Sequence, residues 1–203
     1  MRWQAAAALA IALTLSPLPL RGVFDEKYSQ YLHAVRLQAA VSDLDKACKD
    51  LTAVLASLDY LSYKAALYDN TVRLGQDPGR DRLELLKTVR GAERRLNAAR
   101  HRLLNAEKKG VKVHGSLRRV SAALRALDEV RRLVEEGRPG ASDRLRPVAK
   151  LARVVNGLEA KKQELMQRMV ATMVRTKYYE LVENVLFLPP FNAVFALATA
   201  AGP

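Results

Sequence analysis

The chain has 203 residues, with 34 Lys and Arg against 21 Asp and Glu, a net charge of +13, 49% apolar residues and only 6% aromatic ones. An apolar share of that size argues for a packed core and against wholesale disorder, and a palette of Ala, Leu, Val and Arg suits aliphatic helix seams better than a sandwich or barrel. The single cysteine, Cys48, excludes an intramolecular disulfide and a multi-cysteine zinc site, while the charge favours polyanions: nucleic acid, anionic lipid or an acidic protein.

Residues 1–22 begin MRWQ, run AAAALAIALTL and then break at SPLPLRG. One Arg ahead of a short apolar run and a Pro-containing break fits an export signal, although no A-x-A cleavage site follows. Pro17 and Pro19 cut the run below the roughly 20 residues of a membrane span. The alternatives for this segment are export, membrane association, or an arm packed on the body, and the pattern leaves localisation open.

From there the apolar period is helical. Leu37, Val41, Leu44, Cys48, Leu51, Leu55 and Leu58 alternate spacings of four and three, the a/d pattern of a coiled coil. Cys48 reads as a small core residue in that seam, and Tyr60, Tyr63 and Tyr68 as residues that thicken it. Gly75-Gln-Asp-Pro-Gly79 is a turn. Leu85, Val89, Ala92, Leu96, Ala99, Leu103 and Ala106 then repeat the pattern, the small alanines admitting a close neighbour. KKGVKVHG at 108–115 breaks it as a loop or a kink. Leu117, Val120, Leu124 and Leu127 resume it up to the Gly/Pro turn at 135–140.

Ser142 and Asp143 are candidate N-caps for the last segment, where Val148, Leu151, Val155, Leu158, Lys162, Leu165, Met169 and Thr172 keep the spacing. Lys162 and Thr172 dilute that seam and set register. Pro189 and Pro190 stop the helix, leaving an apolar hook at 189–203. The expected fold is all-α: an elongated antiparallel bundle at 23–188, of three long helical stretches with heptad seams, or four helices if 108–115 is a loop. Leu37, Val41, Leu44, Leu51, Leu55, Leu58, Leu96, Leu103, Leu158 and Leu165 are its interface candidates.

The charge is uneven. Arg80 to Arg119 holds 13 Lys/Arg against four Asp/Glu, which leaves +9 in that stretch. Lys87, Arg90 and Arg94, with Arg95 beside them, share a helix face away from the Leu/Ala seam. Together with Arg102, Lys108, Lys109, Lys112, Arg118 and Arg119 they are the candidate polyanion-binding residues. Acidic partners at i+4 are scarce, and the glycine-containing KKGVKVHG run offers backbone amides for an anion. No interleaved aromatics and no helix-turn-helix, zinc-finger or single-strand-binding motif accompany them.

For catalysis the pattern offers little. His33, His101 and His114 belong to no metal-ligand motif, and no Walker loop, dinucleotide fingerprint, nucleophile elbow or Glu-x-x-His pair is present. Asp43, Asp45 and Asp50 are expected on the wet face of the first helix. No cofactor or metal is implied. The expected function is a non-enzymatic structural or adaptor subunit that packs by its helices and apolar ends against a protein partner, in a homo- or hetero-oligomer. Two alternatives are a basic subunit of a nucleoprotein particle and a membrane-surface protein. The second alternative, an apolar leader ahead of a three-stretch basic body, resembles BAR domains in shape only, with no motif of that family.

Overall fold

The computed structural model describes the backbone of residues 19–186; most of the 1–22 segment and the whole 189–203 hook lie outside the described residues. The elements are α1 (Pro19–Ala56), α2 (Leu58–Arg73), α3 (Gly79–Lys108), α4 (His114–Glu135), a 3₁₀ turn (Ser142–Leu145), α5 (Arg146–Ala149) and α6 (Leu151–Leu186), with no strand among the described residues. The protein is an all-α antiparallel bundle. Two compact units divide it: one runs from Leu37 to Gln167, and the other is made of the chain up to Arg36 and from Arg168 onward.

The Leu37–Gln167 unit follows from its local chemistry. The 109–113 segment is a true loop, so α3 and α4 form a hairpin and the four-helix alternative holds. Gly110 takes φ +89, a conformation that costs glycine little, and the loop's Val111 and Val113 are buried. A further break at Ser57 has no Gly or Pro to announce it. There the Ser57 amide bonds the Val54 carbonyl at 3.1 Å, a tightened turn in place of the α-helical bond, and the Ser57 hydroxyl donates to the same carbonyl at 2.9 Å.

The seam of α3 is as spaced: Leu85, Val89, Ala92, Leu96, Ala99, Leu103 and Ala106 are all buried. Elsewhere the buried set departs from a strict heptad. In α1 Ala40 and Val54 are buried, whereas Val41, Leu55 and the following Leu58 are half-buried; in α6 Val154 replaces Val155, and in α4 Ala123 is buried with Leu124 half-buried. A helix touched by more than one neighbour buries a broader stripe than a two-helix seam does. Leu37, Leu44, Leu51, Leu96, Leu103, Leu158 and Leu165 are buried as expected.

Of the three tyrosines only Tyr68 is in the core. Tyr60 and Tyr63 are exposed and flank Lys64, whose ammonium lies 5.8 and 6.0 Å from their ring centroids while it pairs with Glu84 at 2.6 Å. Their amphipathic rings cover an ion pair instead of thickening a seam.

Asp43, Asp45 and Asp50 are not the wet residues expected; they are half-buried anchors between helices. Asp43 pairs with Lys109 and Asp50 with Arg102 at 2.6 Å, which fixes α1 antiparallel to α3. Asp45 pairs with Lys162 of α6 at 3.1 Å, and Lys162 also meets Glu159 at 2.6 Å. The polar break in the α6 seam is therefore paired across the interface, which specifies register at little net gain in stability. Its pH signature follows. Hydrogen bonds from Lys49 and Lys162 hold the Asp45 carboxyl below its ordinary 3.8, so its contribution is present above pH 3.8 and is lost as pH falls through the depressed value. The Glu159 contact raises the Lys162 ammonium above 10.5, so its contribution is present below pH 10.5 and is lost as pH rises through the raised value. Thermal midpoints are expected to hold a plateau between those limits, and Lys162→Met to flatten the alkaline limb; an unchanged alkaline limb in that variant refutes the assignment.

Cys48 is buried, and desolvation, with the Glu159 carboxylate beside it, pushes its thiol up to about 12. It is a core residue with no thiolate to offer near neutrality. A thiol reagent at pH 8 is expected to label it only as fast as the bundle unfolds; rapid labelling of the native protein would contradict the packing.

The end of the α2–α4 layer is closed by a polar clamp. Asp69, 2% exposed, accepts from the amides of Gly140 and Ala141 on Oδ1 and of Ser142 on Oδ2, each at 2.9 Å, and from the Ser142 hydroxyl at 2.7 Å. Gly140, at φ +110, turns the chain so that three successive amides converge, the geometry of an anion nest. Next to it the Tyr68 hydroxyl donates toward the Leu133 and Val134 carbonyls at 3.4 Å. Ser142 and Asp143 are thus not side-chain caps: the 3₁₀ turn starts after Ala141 without one, and the Ser142 hydroxyl is committed to Asp69. The clamp ties the turn that leads into the 3₁₀ segment to α2, and Tyr68 ties α2 to the end of α4.

Candidate polyanion-binding face

Viewed around α3, the candidate cations separate into two groups. Lys87, Arg90, Arg94 and Lys108 are exposed, as is His101. Lys87, Arg94, His101 and Lys108 recur every seven residues, so they form one line on the side opposite the buried seam, spanning roughly 31 Å of helix. None of the four cations has an ion-pair partner among the described residues, nor does Arg95 on the flank. Lys112 at the loop tip and Arg118 and Arg119 on α4 are likewise exposed and unpaired among those residues.

Arg102 and Lys109 do not belong to this face. The Arg102 guanidinium donates to the Lys46 carbonyl at 2.8 Å and to Asp50 at 2.6 Å, and Lys109 is held by Asp43. Both point back across α1 because positions 102 and 109 lie on the flank of α3 that packs there. In the loop the amides of Lys109, Gly110 and Val111 donate to the Ala106 and Glu107 carbonyls, closing the end of α3 as helix termini require, so those three are not offered to an anion.

No family model, curated protein or solved structure matches this chain. The face therefore has to be read from its own chemistry.

The α3–α4 side carries charge of both signs in a regular order. Arg131 bridges Glu93, at 3.9 Å, and Asp128; burial raises the Glu93 carboxyl above its ordinary value despite the guanidinium. Arg144 of the 3₁₀ turn reaches Glu129 at 3.4 Å. Two guanidiniums thus meet three of the acids on this side. Around them are further exposed cations: Arg100 on α3, Arg125 on α4, and Arg146, Lys150 and Arg153, which follow one another at four and three residues from α5 into the start of α6. The packing of α5 onto α4 brings that run beside Arg125.

His33, His101 and His114 are exposed and scattered, and among the described residues no cluster of metal-ligating side chains occurs. No helix among them is long and apolar enough to cross a membrane.

In the other unit the feature is apolar. Leu32 and Val35 of α1, and Val170 and Val174 of α6, are exposed, at spacings of three and four that put each pair on one side of its helix.

Proposed function

We propose that this chain is a non-enzymatic adaptor or structural subunit that works by helix–helix packing in an oligomer. The observation that carries the reading is the set of exposed apolar side chains Leu32, Val35, Val170 and Val174 in the unit formed by the two outer chain segments. Large aliphatic residues at helical spacing form a surface that water solvates poorly and a partner helix covers well, through coiled-coil pairing of the kind the heptad spacing suggests. Light scattering of the full-length chain coupled to gel filtration tests it. A mass that is a multiple of 22.5 kDa, reduced to the monomer by Val170→Asp with Val174→Asp, is the expected result. A cooperative 22.5 kDa monomer at every concentration overturns the reading.

A second reading, a basic subunit of a nucleoprotein particle, is favoured by the line of unpaired cations on α3 opposite its buried seam. Charge alone recognises phosphate without base identity, so binding would be sequence-independent and steeply salt-dependent. Fluorescence anisotropy with RNA and DNA oligonucleotides across a salt series tests this; salt-insensitive or absent binding ends it.

A further inference from the structure

We infer that the nucleic-acid backbone, on the second reading above, is received by a groove running across α3, α4 and α5, and not by the outer line of α3. Three neighbouring clefts carry the inference. The first, of about 400 Å³, lies between α3 and α4 and is lined by Arg100 and Arg125. The second, of about 440 Å³, lies between α4 and the 3₁₀ turn with α5, and is lined by Arg125 again and by Arg146. The third, of about 390 Å³, is lined by Arg146 again, Lys150 and Arg153. Each cleft shares a guanidinium with the next, so the three form one path.

The charge along that path is unbalanced. Arg100, Arg125, Arg146, Lys150 and Arg153 have no ion pair among the described residues. Glu93 and Asp128 in the first cleft share the single guanidinium of Arg131, and Glu129 in the second pairs with Arg144. Asp143, in the second cleft, is left as the one carboxylate there without an ion pair among the described residues. Seven cations line the path against four carboxylates, a net of +3, and the five unpaired cations in single file suit a linear polyanion. Four of the five are arginines, whose planar fork matches phosphate oxygens two at a time.

The shape selects among polyanions. A bilayer is a plane, and cations lining recesses between helices meet a plane less well than cations on a ridge. Arginine clusters also receive acidic peptide motifs, but a peptide ordinarily adds side-chain pockets or a sheet edge to that contact; the groove floor consists of small residues such as Ala122, Ala126 and Ala149, and there is no sheet among the described residues. Bases have no aromatic platform here, so recognition rests on phosphates and not on stacking.

The test uses full-length protein, a fluorescent oligouridylate and a DNA duplex, with the groove variant Arg125→Gln/Arg146→Gln/Arg153→Gln set against the outer-line variant Lys87→Gln/Arg94→Gln/Lys108→Gln. Five phosphate contacts predict that wild-type affinity falls roughly 100- to 500-fold between 50 and 200 mM salt, and that the groove variant, with two contacts left, loses only roughly tenfold over the same range. The outer-line variant keeps the wild-type salt slope. If the outer-line variant alone loses affinity, or both lose it equally, the groove is overturned and the nucleoprotein reading stands; if neither oligonucleotide binds wild type, both fall. Stronger binding to poly-glutamate or to phosphatidylserine vesicles than to the oligonucleotides also overturns the groove. Circular dichroism checks folding of each variant, and Lys150→Gln with Arg153→Gln, both at exposed positions, repeats the test should the triple variant unfold.

Discussion

Replacing Asp69 by alanine is expected to lower stability by about 3–5 kcal/mol, among the largest losses any single substitution in this chain should cause. The carboxylate is almost wholly buried and accepts four hydrogen bonds from Gly140, Ala141 and Ser142. Truncation removes the acceptor and leaves three amides and a hydroxyl pointed into a space too confined to solvate them well. Asp69→Asn retains shape and one acceptor oxygen, so it should fall between alanine and wild type. Urea denaturation followed by circular dichroism reads both. A loss under 1 kcal/mol for alanine would mean that the turn finds other partners and that the clamp does not fasten it to α2.

The second large effect is Leu96→Ala, expected to cost about 2–5 kcal/mol. Leu96 is fully buried in the α3 seam, between Ala92 and Ala99, which are too short to fill the space it vacates. The control is the same change at Leu83, on the same helix but 70% exposed, for which a change within about 0.5 kcal/mol is expected. Equal losses at the two positions would mean that α3 buries a different side from the one described.

The helices themselves were legible because their signals are local. The seven seam positions of α3 could be counted from the sequence, since glycine and proline bracket that helix and its apolar spacing is uninterrupted. The Ser57 break was not legible: a serine inside an apolar-periodic run is ordinary, and neither glycine nor proline marks the tightened turn there. The stripe in α1 shifted by a residue, from Val41 to Ala40 and from Leu55 to Val54, because periodicity reports one preferred side and not how many neighbours a helix has.

Charge was harder to read than hydrophobicity. Lys87, Arg90 and Arg94 were found because they are neighbours along one helix. Arg102 and Lys109 belong to the same run in sequence, but the carboxylates that hold them sit on α1, more than fifty residues away. Arg146, Lys150 and Arg153 follow one another at four and three residues, a short run outside the most basic stretch, and they meet Arg125 and Arg100 only through the packing of successive elements. Asp69 is the extreme case. Nothing near it in the chain marks it, and its role appears only when the turn at 140–142 comes to rest beside it.

That clamp also has a consequence in time. It closes across 71–73 residues of intervening chain, whereas the α3–α4 hairpin closes across a short loop. Loop-closure entropy favours the hairpin early and the clamp late. Asp69→Ala should therefore refold at close to the wild-type rate and unfold much faster, a split that stopped-flow denaturant jumps resolve. The residue then acts as a latch on the finished bundle. What it governs is how long the turn at 140–142 stays fastened to α2, and with it how firmly the α5 segment that carries Arg146 is delivered beside Arg125.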